Sequence, residues 1–117
     1  MIPVLYEDNH VIVVEKPVNV PVQADSSEDY DLLTMIKDDL KIRHNKPGNV
    51  YLGLVHRLDR PVGGIMVFAK TSKAASRLSE QVRTRTIEKT YLAIVHNASS
   101  LPKSQTLRDY LAKDHKT

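Results

Sequence analysis

Apolar residues in this chain recur in two different periods, and the changes between them mark out its elements. Val4-Leu5-Tyr6 followed by Glu7-Asp8-Asn9 predicts a short strand ending in a turn. His10 to Lys16 is a β-branched run closed by Pro17, the second strand of a hairpin. From Val18 to Tyr30 the pattern reads as a loop containing the polar run Asp25-Ser26-Ser27-Glu28-Asp29. A helical period then holds from Asp31 to His44. Leu32, Leu33, Ile36 and Leu40 fall at helical spacing, leaving Lys37, Asp38 and Lys41 outside, and an acidic residue at the start supplies an N-cap. Pro47-Gly48 ends it. Tyr51 to Val55 predicts a compact strand, and Ile65 to Ala69, apolar on both faces, a central one. Ser72 to Arg83 predicts a second helix capped by Ser72, with Ala75, Leu78 and Val82 as its buried stripe. Thr86 to Val95 reads as a longer strand, and the rest as loop with a weak strand or turn near Leu107 to Leu111. Strands and helices mix without strict βαβ alternation. The fold class is therefore α+β, with a mixed, mainly antiparallel sheet and flanking helices.

Bulk properties narrow the classes. A chain of 117 residues suits one domain, and 41% hydrophobic with 26% charged residues is ordinary for a soluble protein. No apolar run approaches the roughly 18 residues of a membrane span, and the N-terminus does not read as a signal peptide. With no cysteine there are no disulfides or thiolate metal sites, so the cytoplasm is the expected compartment. The five histidines are scattered with no i, i+4 pair, so no metal is expected. The net charge is +3, but residues 1–50 balance to −4 and residues 51–117 to +7. That asymmetry fits either a surface for a polyanion or a solvated basic exterior.

The chemistry concentrates in His56-Arg57-Leu58-Asp59-Arg60, where a carboxylate stands between two guanidinium groups at a strand end, before Pro61-Val62-Gly63-Gly64. In extended backbone Arg57 and Asp59 share one face, and His56, Leu58 and Arg60 the other. Neighbouring arginines favour the carboxylate anion, which can attack an electrophilic carbon, while the arginines can hold phosphates. For an arbitrary string of this kind a structural ion pair is the commoner outcome.

The string resembles the signature motif of the RluA-type family of RNA pseudouridine synthases. Leu5-Tyr6-Glu7-Asp8-Asn9 with Val13-Val14-Glu15-Lys16-Pro17 is similar to that family's opening hairpin, and Lys89-Thr90-Tyr91 to its Lys-x-Tyr motif. The likeness runs from about Pro3 to about His115. It implies the first part of the pseudouridine synthase catalytic fold and an isomerase that needs neither cofactor nor metal. The uridine glycosidic bond is broken, the uracil turns over, and a carbon–carbon bond forms. Asp59 matches the nucleophilic aspartate. Tyr91 matches a tyrosine that stacks on the target base and can take the ring-carbon proton. Arg57 matches an arginine that fills the gap left by the flipped base. Taken alone, Tyr91 reads as a strand aromatic, Lys89 as a phosphate contact or an edge charge, and Lys16 as turn punctuation.

Lys73 and Arg77 lie four apart on one face of the second helix, and with Arg60, His56 and Lys89 they complete the expected RNA-binding set. The partner implied is structured RNA, ribosomal or transfer. Two departures matter. Pro61-Val62-Gly63-Gly64 replaces a Thr-Ser-Gly-like stretch and loses its hydroxyls. The later family motif that supplies a basic partner for the aspartate has no counterpart after Tyr91. Residues 1–117 therefore read as a partial catalytic domain lacking its C-terminal part, with no S4-type RNA-binding domain before it. Two other readings are an inactive relative that only binds RNA, and a protein-interaction module using the same charges. An unpaired sheet edge in such a partial domain would invite homodimerisation.

Overall fold

The computed structural model of the protein describes residues 2–114. Two strands, β1 (Val4–Glu7) and β2 (Val11–Lys16), form the predicted hairpin, and the polar turn between them has a specific lock. Asp8 accepts from the backbone N–H groups of His10 and Val11 at 2.7 and 2.8 Å, and from the Tyr6 hydroxyl at 2.7 Å. These bonds, that from Tyr6 foremost, hold the Asp8 carboxyl down at about 2.

Helix α1 (Leu32–Arg43) begins where the polar run ends, because Asp31 caps it. The Asp31 carboxylate accepts from the Thr34 backbone N–H at 3.0 Å, which satisfies one of the donors a helix start leaves open. Two further strands follow, β3 (Gly53–Leu54) and β4 (Gly64–Ala69), and then α2 (Ser72–Arg83). All pairings are antiparallel, in the order β1-β2-β4-β3, so β4 is an inner strand as its composition predicts. The α+β class holds.

Side-chain alternation divides the sheet. Ile12 and Val14 of β2 and Met66 and Phe68 of β4 point to one face, where they pack with Leu32, Ile36 and Leu40 of α1 in a single core. Val11, Val13, Ile65 and Val67 point to the other face, which is only partly covered. Helix α2 lies at one end of that second face. Gly53 permits the approach, since a Cβ there would meet the Ala75 methyl at 3.0 Å.

Four sequence expectations need correction. Thr71, not Ser72, caps α2: its side chain accepts from the Ala74 N–H at 3.1 Å. The most buried residue of that helix is Ala74, while Ala75, Leu78 and Val82 are half-buried. Residues 86–95 join no ladder, and Leu92 and Ile94 are fully exposed. A strand preference is realised only against a partner edge, and none pairs with this stretch among the described residues. The weak strand or turn expected at 107–111 is irregular backbone, and the regular feature there is a short 3₁₀ turn at Ala98–Ser100. This irregular arm explains a radius of gyration of 17.2 Å, where a compact chain of this length would have about 13 Å.

An ion-pair cluster ties the outer hairpin to the end of α1 and to the turn between β4 and α2. Glu7 meets Lys70 at 2.6 Å, Arg43 at 2.7 Å and His44 at 3.0 Å. Burial alone would raise the Glu7 carboxyl, but the bonds from Lys70, His44 and Arg43 outweigh it and bring it down to about 2. A carboxyl depressed on folding adds stability that is present above its unfolded pKa and is lost as pH falls through the folded one. Wild-type protein should therefore lose its advantage over Glu7→Gln as pH drops from about 4.5 to about 2. The expected advantage near pH 6 is on the order of 2 kcal/mol, discounted for the solvent-facing Arg43 and His44. Paired thermal melts across that range test it; a pH-independent difference would contradict it.

Candidate active site

Beyond Leu54 the ladder between β3 and β4 stops, but from His56 to Arg60 burial alternates as the sequence predicts. His56, Leu58 and Arg60 are half-buried; Arg57 and Asp59 are exposed. His56 and Leu58 lie against β4, while Arg60 turns back to the 19–29 loop. The Val67 backbone N–H donates to His56 Nε2 at 3.1 Å, so the imidazole takes the place of a further ladder partner. That bond requires Nε2 to be unprotonated and places the neutral ring's proton on Nδ1. Burial, and then the nearby charge of Lys89, lowers the His56 pKa and favours the same neutral form.

The uncovered second face of the sheet becomes the floor of a cleft of about 510 Å³. Val67 and Ile65 form the floor, His56 and Leu58 one wall, and Val82 of α2 with Ile87 another. Lys89 and Tyr91 enter from the irregular segment after α2. The structure thus brings His56, Lys89 and Tyr91 of the predicted set to one apolar-floored cleft. Asp59 and Arg57 are not in its lining. Asp59 stands on the loop between two wall residues, Leu58 and Val62, with its side chain open to solvent. Lys73 and Arg77 are exposed on α2, away from the cleft walls.

Arg60 has a different setting from its expected RNA contact. Its guanidinium donates to Asn19 at 3.2 Å, to Ser27 at 3.0 Å, to Asp25 at 3.3 Å and to Asp29. The Asp29 bond leads the effects that raise the Arg60 pKa. The acidic loop 25–29 is thereby fastened to the signature motif.

Lys16, which taken alone reads in the sequence as turn punctuation, has a larger role in the fold. It is 1% exposed, and its ammonium donates to three carbonyl oxygens: Pro17 at 3.0 Å, Arg60 at 2.9 Å and Val62 at 2.7 Å. Burial, and then the charge of Arg60, lowers its pKa. The signal was present in the alternation, since Lys16 shares the inward face of Ile12 and Val14. Among the described residues no group of three or more acidic or histidine side chains converges in a way that could hold a metal; His115 lies outside them. No helix among them is long and apolar enough to cross a membrane. A second apolar groove of about 400 Å³, between β1 and α1, offers Asp39 as its charged group.

Comparison with known proteins bears on this arrangement. The ribosomal large subunit pseudouridine synthase C of Buchnera aphidicola subsp. Baizongia pistaciae is 39% identical over 93 residues, covering 80% of this chain and 28% of the relative. The protein of the same description from Escherichia coli K12 is 36% identical over 92 residues, covering 79% and 27%. The chain therefore spans little more than a quarter of the length of these curated relatives. A solved structure described as human RNA pseudouridylate synthase domain containing 4 matches with a TM-score of 0.61 and 28% identity, over 72% of this chain and 30% of that one. The profile of the family described as RNA pseudouridylate synthase matches residues 10–117, which take in β2, the Asp59 motif and Tyr91. On that match the chain belongs to the RNA pseudouridylate synthase family.

Proposed function

We propose that this chain carries the nucleophile-bearing part of an enzyme that isomerises uridine to pseudouridine in structured RNA, with Asp59 as the nucleophile. The observation that carries this reading is the position of Asp59, outside the cleft lining but solvent-open on the loop between Leu58 and Val62, two residues that line the cleft with Tyr91 and Lys89. The apolar floor of Ile65 and Val67 suits the face of a base flipped out of its stack, and Tyr91 suits its other face. The Asp59 carboxylate forms a transient covalent bond to the target nucleotide, and the glycosidic carbon–nitrogen bond breaks. The uracil turns, its C5 bonds to the sugar carbon, the bond to Asp59 breaks to return the free carboxylate, Tyr91 takes the proton displaced from C5, and N1 gains a proton. Arg57 fills the space the base has left. The curated relatives are named for the large ribosomal subunit, which makes ribosomal RNA the first substrate to test, with transfer RNA as the comparison.

Tritium release from RNA labelled at the uracil C5 position is the test. Wild-type protein should release the label, and protein that retains RNA without releasing any overturns the reading. That outcome would support the second reading, an RNA-binding relative without turnover. It is favoured by one observation: among the described residues the segment holding Lys89 and Tyr91 pairs with no strand, and both side chains are exposed.

Both readings need phosphate contacts, and the exposed Lys73 and Arg77 are the side chains proposed to supply them. Such contacts release counterions, so affinity falls with salt. Removing both side chains as Lys73→Ala/Arg77→Ala should lower the slope of log affinity against log salt by about 2, roughly 1 per lost contact. Filter retention of RNA between low and moderate salt measures it. An unchanged slope would place the RNA on another surface.

A further inference from the structure

We propose that Lys16 is a positioning residue for Asp59: its buried ammonium holds the turn that presents the carboxylate. The catalytic consequence rests on the reading of Asp59 as nucleophile; the structural consequence does not. A buried lysine ordinarily needs a carboxylate partner, yet no ion pair among the described residues involves Lys16. Its three donors are spent on carbonyl oxygens instead, two of them 44 and 46 residues away in the signature loop. A methionine would fill nearly the same space without the desolvation penalty of an ammonium. It would also leave the part-buried carbonyls of Arg60 and Val62 without this donor.

The geometry of the loop shows what the ammonium does there. The Val62 N–H donates to the Asp59 carbonyl at 2.9 Å, closing a four-residue turn whose first residue is Asp59. Pro61 has no N–H to give, so the turn has few internal bonds of its own. Lys16 reaches it from beneath, through the carbonyls of its second and fourth residues. A second observation points the same way. A Cβ on Gly63 would meet Val18 Cγ1 at 3.1 Å and the Lys16 carbonyl oxygen at 3.2 Å, so the loop lies directly against the exit of β2. The acidic residues around Arg60 also fit, because they offset the repulsion between its guanidinium and the Lys16 ammonium a short distance away.

The experiment compares wild type, Lys16→Met and Asp59→Ala by three measurements: C5-tritium release, RNA retention on filters, and hydrogen exchange at the Val62 amide. Lys16→Met should retain RNA within about twofold of wild type while turnover falls about 30-fold, since a displacement of about 1 Å at a reacting group costs on the order of 10²-fold. Its Val62 amide should exchange at least about tenfold faster while the amides of α1 stay protected. Turnover and Val62 exchange at wild-type levels in folded Lys16→Met would overturn the proposal. Should wild type release no tritium, the functional reading fails, and Val62 exchange still decides the positioning one. Should Lys16→Met not fold, wild-type Val62 decides: protection matching the core strands supports the proposal, and exchange as fast as the exposed 45–49 loop overturns it.

Discussion

Asp59→Ala is expected to abolish tritium release from labelled RNA, by about 10³-fold or more, while leaving RNA retention and the melting transition near wild type. The three expectations have separate physical grounds. A nucleophile forms the covalent bond on which every later step depends, so no neighbour can substitute for it. Retention should persist because phosphate contacts from side chains such as Lys73 and Arg77 do not pass through Asp59. Stability should persist because the side chain is exposed, and the bond from Val62 reaches its backbone carbonyl rather than its carboxylate. Asp59→Asn is the sharper companion: it keeps shape and hydrogen-bonding capacity and removes only the charge. Turnover within tenfold of wild type in either variant would remove Asp59 from the chemistry.

The largest effect on stability is expected at Phe68. Its side chain is fully buried at the centre of the sheet, with Ile12 opposite on β2 and Leu54 opposite on β3. Phe68→Ala removes a whole ring from between two strand neighbours and the α1 layer, a change that costs about 3–5 kcal/mol. Total stabilities of such domains are about 5–15 kcal/mol, so the variant should sit near or past the edge of folding. Urea denaturation followed by circular dichroism measures it. A loss below about 1 kcal/mol would mean that the ring does not fill the core, and the layer assignment would fall with it.

Elements that depend on local periodicity were legible in the sequence. The face of Leu32, Ile36 and Leu40, the β-branched run of β2 and the apolar run of β4 each carry their own pattern, and the structure follows them closely. The signature motif was legible for the same reason, since its alternation between His56 and Arg60 is a property of extended backbone. What escaped were features that need two distant segments at once. The Lys16 tripod joins positions more than 40 residues apart, and the Arg60 clamp reaches back to Asp25 and Asp29. No local window holds both partners. Residues 86–95 failed in the opposite sense: β-favouring composition was present, but a ladder needs a neighbour, and Leu92 and Ile94 have none among the described residues.

The placement of Lys16 on the same side of β2 as Ile12 and Val14 makes that strand its own proofreader. A slip of one residue in pairing with β4 would turn every side chain over and bring Glu15 in where Lys16 belongs. A carboxylate would then face the Arg60 and Val62 carbonyl oxygens that await a cation, with no hydrogen to share between them. Misregistration is thus opposed twice, by stranded apolar surface and by like polarity, and a chain that reaches the correct pairing has few competitors of similar energy.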